Sequence, residues 1–193
     1  MLMEKTFNEI INHSKSSFEN LDKEISKEFI ETIANSDKIF ILGGGRSGLV
    51  ARTFAMRLMH LNLKVGMIGE NISSEKNNVK KVLVAISGSG ETDIVKDIAK
   101  IYKKNKVKIM SISSYNESEL AKMSDTSIII NKYNNNEKNK KENYVPMPLG
   151  TSFELATLLT LESMIPDLMK IRNITEEDMA KRHVPFDFID YYL

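Results

Sequence analysis

The sequence predicts an α/β fold, a three-layer α/β/α sandwich around a five-stranded parallel sheet. Three observations carry this. Short apolar runs alternate with helical patterns between residues 38 and 131. The runs are nearly continuous in Val, Ile and Leu, as strands covered on both faces require. Two of them end in glycine-rich turns, 43-GGGRSG-48 and 87-SGSGET-92, and each turn opens a helical pattern.

The elements follow in order. Residues 3–35 read as helix, with Phe7, Ile10, Ile11, Phe18, Leu21, Ile25, Phe29, Ile30 and Ile33 at helical spacing and a break expected near Ser14–Ser17. Residues 38-KIFILG-43 are a buried strand. Residues 47–61 are a helix with Val50, Phe54, Leu58 and Leu61 on one stripe. Strands follow at 64-KVGMIG-69, 81-KVLVAI-86, 107-VKIMSIS-113 and 127-SIIIN-131, with helices at 91–105 and 116–124. The stretches 71-NISSEKNN-78 and 132–146 are polar and loop-like. A strongly apolar helix covers 151–170, and a short one covers 174–183. The whole of 1–193 reads as one domain, with a helical extension over about 1–35 and a terminal helical segment over about 151–183.

Composition narrows the function. Lys and Arg total 27 against 26 for Asp and Glu, so no net charge points to nucleic acid. There is no cysteine, which excludes disulfides, thiolate metal sites and a cysteine nucleophile. No apolar run is long enough to span a membrane and the start lacks a signal-peptide core, so a cytoplasmic protein is expected. Five of the basic residues are arginine, and Arg46 lies inside the first glycine loop. Its planar fork suits phosphate or carboxylate recognition.

The first loop, with Gly43, Gly45 and Gly48, has the G-x-G-x-x-G spacing of a dinucleotide site. Glu70 stands where a ribose-binding acid would stand. A tight strand-to-helix turn would need the same glycines. The second loop favours a different ligand. Ser87, Ser89 and Thr92 are interleaved with Gly88 and Gly90 between a strand and a helix. Backbone N–H groups and hydroxyls arranged this way suit the terminal oxygens of a phosphomonoester. The alternative is a serine-capped helix start with Glu91 as its first-turn acid.

The stretches 43-GGGRSGLVARTFAMRLMHL-61, 86-ISGSGET-92, 147-MPLGTSFELA-156 and 179-MAKRH-183, in that order, resemble the sugar isomerase (SIS) domain family. Within it they are most similar to the 6-phospho-3-hexuloisomerases. The resemblance implies a Rossmann-like SIS fold, no redox cofactor and no metal, and interconversion of 3-hexulose 6-phosphate and fructose 6-phosphate through a cis-enediolate. It implies phosphate binding by Ser47, Ser87, Gly88, Ser89, Gly90, Glu91 and Thr92, a possible substrate contact for Arg46, and a homo-oligomer, expected to be a tetramer. It makes Glu154 the base and His183 a second proton-transfer group. Other ketose or aldose phosphates, or a sugar-phosphate sensor without turnover, would use the same loops.

Both residues have plain alternatives. Thr151-x-x-Glu154 is also a capping-box pattern. His183 could simply end a surface helix. His13 and His60 have no motif around them and read as structural. The sequence departs from the isomerase pattern at 184-VPFD-187, at 71–78 and in the Asn- and Lys-rich 132–146.

Overall fold

A computed structural model describes residues 1–68, 79–133, 147 and 150–183 of the chain. Two helices lead, α1 (Leu2–Glu19) and α2 (Lys23–Ala34). The alternating part follows as β1 (Lys38–Gly43), α3 (Gly45–His60), β2 (Val65–Met67), β3 (Lys81–Ile86), α4 (Asp93–Lys104), β4 (Lys108–Ser113), α5 (Glu119–Met123) and β5 (Thr126–Ile129). It ends in α6 (Thr151–Arg172) and α7 (Glu176–Ala180). The five-stranded parallel sheet of the sequence reading is present, in the order β2-β1-β3-β4-β5.

The strands bury both faces because their side chains alternate. Ile39 and Ile41 of β1 point into one core with Phe29 and Ile33 of α2, Phe54 and Leu58 of α3, and Leu161 and Leu168 of α6. Phe40 and Leu42 point into a second core with Val95 and Ala99 of α4 and Leu120 of α5. The period of two in the strands and 3.6 in the helices therefore meets at two interfaces, giving three layers. Glu28 of α2 ties one layer to the sheet, accepting from Lys108 Nζ at 2.9 Å and Thr126 Oγ1 at 2.8 Å.

The break in the N-terminal helix does not fall at Ser14–Ser17. Those serines lie buried within α1, and the break comes at Asn20–Asp22. Asp22 is the reason, since its carboxylate caps α2 by accepting from the N–H groups of Glu24 and Ile25. Phe7, Ile11 and Phe18 of α1 remain exposed. The final helix runs two residues beyond the expected end at 170, through Pro166, to an αL cap at Asn173.

The strand order places a reversal between β1 and β3. One neighbour, α3, returns the chain to β2 on one side, and the next crossover leads to β3 on the other. In open α/β sheets the crevice at such a point, beyond the carboxyl ends of the strands, is where ligands bind. The two glycine loops leave β1 and β3 at this crevice, and the Thr92 methyl lies beside Gly44.

Gly43 and Gly48 close the first loop by direct backbone contact. A Cβ on Gly48 would lie 2.8 Å from the Gly43 carbonyl oxygen, and one on Gly43 2.8 Å from that of Ser47. The last and first glycines of the motif thus pack the start of α3 onto the end of β1. Gly48→Ala should cost about 1–3 kcal/mol through overpacking, read as a fall in the denaturant midpoint. An unchanged midpoint would show that this contact is slack.

Candidate functional site

A cleft of about 540 Å³ opens at the crevice. Ser47 of α3, Gly88 and Ser89 of the second loop, and Glu154 of α6 all line it. Four positions from three separate sequence motifs are thereby brought into one wall.

The second loop is held in shape by its own hydroxyls. Ser87 is buried, its Oγ lies 2.9 Å from Thr92 Oγ1, and it accepts from Gly90 N–H at 3.1 Å. Ser89 Oγ accepts from Glu91 N–H at 3.1 Å, which leaves its own proton to donate. The N–H groups of Gly90 and Glu91 are therefore already engaged within the loop. Those of Gly88 and Ser89 find no acceptor among the described residues. Two backbone donors and a hydroxyl on cleft-lining residues, in the turn that leads into α4, are thus left uncommitted among the described residues, an arrangement suited to an anion.

Glu91 contributes no side chain to the cleft. Its carboxylate accepts from Glu119 N–H at 2.7 Å and from Lys96 Nζ at 3.1 Å. These contacts, the Glu119 N–H first, hold its carboxyl below the usual range. Lys96 also meets Asp93 and Glu119, and the carboxylates together raise its pKa. Glu91 acts as the anchor of the loop's outer end.

Glu154 is buried, with 8% of its surface exposed. The capping-box alternative does not hold. Gly150 is the N-cap of α6, Thr151 is already helical, and no side chain caps the helix. The carboxylate instead folds back over Gly150 and accepts from Arg46 Nε. Gly150 is needed twice for this. Its φ is +79°, and a Cβ there would lie 2.7 Å from Glu154 Oε1. Phe153, next in the chain, packs over Gly88 and closes the cleft from the α6 side.

Arg46 reaches Glu154 from the first turn of α3, so the arginine within the glycine loop serves a carboxylate of this chain. About three turns further along α3, Arg57 meets Glu162 at 3.0 Å and aligns the same two helices.

His183 is not in this cleft. Its ring meets that of His60, at the far end of α3, with centroids 5.3 Å apart. The helix between Gly45 and His60 spans roughly 22 Å. Within one chain His183 therefore lies by the opposite end of α3 from Glu154. His13 packs edge-on against Tyr133 at 5.5 Å.

The sequence reading missed Ser114 and Tyr115, which follow β4, and Lys132 and Tyr133, which follow β5; all four line the cleft. The signal was present, since both pairs stand just past strand carboxyl ends. Glu70 and the segments 71–78, 134–146 and 184–187 lie outside the described residues. Among the described residues no three His, Asp or Glu side chains group as a metal site, and no helix is long and apolar enough to cross a membrane.

The SIS domain family matches residues 32–144, which carry both glycine loops and all five strands. The chain belongs to the SIS domain family. It is 38% identical over 156 residues to a 3-hexulose-6-phosphate isomerase of Methanocaldococcus jannaschii, covering 80% of this chain and 79% of that protein. It is 37% identical over 171 residues to an uncharacterized protein of Archaeoglobus fulgidus, covering 89% and 92%. A crystal structure of a hypothetical protein, 34% identical, superposes with a TM-score of 0.86 over 97% of this chain and 98% of that one. The glycine loop that resembles a dinucleotide fingerprint is thus the first loop of an SIS domain.

Burial pushes His13 below its ordinary value of 6.5. Burial, then His183 and Arg57, do the same to His60. The unfolded chain therefore binds these protons more readily than the folded one. The stability they contribute is present above pH 6.5 and is lost as the pH falls below it. The melting temperature should drop between about pH 7 and about pH 5.5. Replacing His13 and His60 by Gln should flatten that drop, and an equal drop in the variant would assign it elsewhere.

Proposed function

We propose that the chain is a sugar-phosphate isomerase that interconverts 3-hexulose 6-phosphate and fructose 6-phosphate. One observation carries the reading. A buried carboxylate, Glu154, shares a single cleft with the unsatisfied N–H groups and hydroxyl of the Gly88–Ser89 turn. The similarity to 3-hexulose-6-phosphate isomerases over four-fifths of the chain supports this choice of substrate.

The chemistry needs few groups. The phosphate is held by Ser47, by Ser89 and by the N–H groups of Gly88 and Ser89, on a turn braced by Ser87 and Thr92. Glu154 removes the C2 proton, next to the C3 ketone, and the electron pair forms the C2–C3 double bond of a cis-enediolate. The same proton returns to C3. The O2 hydroxyl loses its proton as O3 gains one, leaving the ketone at C2. Arg46 keeps the carboxylate aimed and sets a positive charge beside the developing oxyanion. No redox cofactor takes part.

Glu154→Gln keeps the shape and removes the basicity, so kcat should fall by at least ~10²-fold with little change in sugar-phosphate affinity. Ser89→Ala should act in reverse, raising KM while kcat holds. Both are read by following fructose 6-phosphate formed from enzymatically generated 3-hexulose 6-phosphate. A near-normal kcat in the glutamine variant would sink the base assignment. Binding without turnover in the parent would select a sensing module.

The reading extends to assembly, as a homo-oligomer and most simply a tetramer. Exposed Phe7, Ile11 and Phe18 on α1, with Leu49 and Met56 on α3 and Leu159 on α6, are the apolar faces an interface would cover. His183, remote from its own chain's cleft, would then reach a neighbouring subunit's cleft and move the hydroxyl proton between O2 and O3. Light scattering should give a multiple of the single-chain mass, and the mass of one chain in dilute buffer refutes the assembly.

A further inference from the structure

We infer that Lys132 is a binding residue for the phosphate of the substrate, supplied by the segment that follows β5. The inference rests on the phosphosugar reading and adds a residue that neither glycine loop contains.

The charge in the cleft is the starting point. Among its described lining residues Glu154 is the acid and Lys132 the cation. The other nearby cations are committed elsewhere. Arg46 is bonded to Glu154, and Lys96 is held by Glu91, Asp93 and Glu119. Lys132 makes no ion pair among the described residues.

A phosphate dianion placed at the second loop meets the N-terminus of α4. That end is already partly compensated, because Glu91 flanks it and Asp93 stands in its first turn. The helix alone therefore offers a dianion less than an uncharged N-terminus would. A full positive charge on the same cleft restores the balance, and Lys132 is placed to give it.

The side chain is also held ready. Lys132 Nζ lies 5.8 Å from the centroid of the Tyr115 ring, and Tyr115 lines the same cleft beside Ser114. The ring face holds the ammonium over the cleft and accepts none of its protons as a carboxylate would. The lysine keeps its N–H groups for the anion, and the cost of ordering a long side chain is partly met before ligand arrives. Lys132 touches the ligand's charge and no reacting carbon, so it sets affinity and leaves proton transfer to Glu154.

The test uses inorganic phosphate and fructose 6-phosphate as probes, by calorimetry on the full chain, beside steady-state kinetics. Lys132→Gln should weaken both ligands by about tenfold and raise KM in proportion, with kcat within twofold of the parent. Its binding should also depend less on ionic strength, because one screened attraction is gone. Lys132→Arg should recover most of the affinity, and Tyr115→Leu should show a smaller loss of the same sign. A Lys132→Gln variant that binds both ligands as tightly as the parent overturns the inference and leaves the phosphosugar reading intact. A kcat that falls with KM unchanged also overturns it. A parent chain that binds neither ligand overturns the phosphosugar reading, and the inference with it.

Discussion

The contact between Arg46 and Glu154 is the constraint on which the site depends. It joins residues 108 positions apart, one in the turn after β1 and one in the first turn of α6. Each end has its own structural requirement. Arg46 points to the crevice because Gly43 and Gly48 press the start of α3 onto the end of β1. Glu154 folds back because Gly150 has a positive φ and no side chain. A buried carboxylate without a partner is costly, so the packing of α6 on α3 and the pairing of charges enforce one another. Arg46 remains mostly exposed, with 60% of its side chain open, and solvent screens the pair. Its larger effect is to fix where the carboxylate points.

The topology explains why a dinucleotide-like loop can serve a sugar phosphate. The G-x-G-x-x-G spacing answers a geometric need, the close approach of a strand end and a helix start. That need is met here by Gly43 and Gly48 against one another's backbone. What differs is the next crossover. The sheet order β2-β1-β3-β4-β5 sets the β3 turn directly beside the first loop, and that turn carries Ser87, Ser89 and Thr92. A second hydroxyl-rich turn at the same crevice is what a compact terminal phosphate requires.

Much of this was legible in the sequence, for local reasons. The strands declared themselves by length and apolarity, and their alternation with helices set the parallel sheet. Ser47, Gly88, Ser89 and Glu154 stood in motifs with their own chemistry. Tertiary juxtaposition was not legible. Whether Glu154 capped α6 or left it depended on Gly150 taking the N-cap position, one residue before the threonine that the capping pattern names. The helix break was displaced because Ser14 and Ser17 are small enough to be buried in a continuous α1, whereas Asp22 has a carboxylate that can cap. Ser114, Tyr115, Lys132 and Tyr133 have no motif; their position past β4 and β5 is what brings them to the cleft.

The proposed reaction asks for more than the described part of one chain's cleft supplies. Glu154 and the phosphate turn need a group that moves a hydroxyl proton between neighbouring oxygens. The described residues that line the cleft include tyrosines, serines and a lysine, and no imidazole. The imidazole suited to it, His183, meets His60 edge-on at the other end of α3. The helix that separates them, α3, also carries exposed Leu49, Met56 and Met59 along its length. Under the proposed assembly, this apolar face would be the contact that carries His183 toward a second cleft. Assembly and catalysis would then share one helix, with Arg46 at its start orienting the base and His60 at its end positioning the proton shuttle.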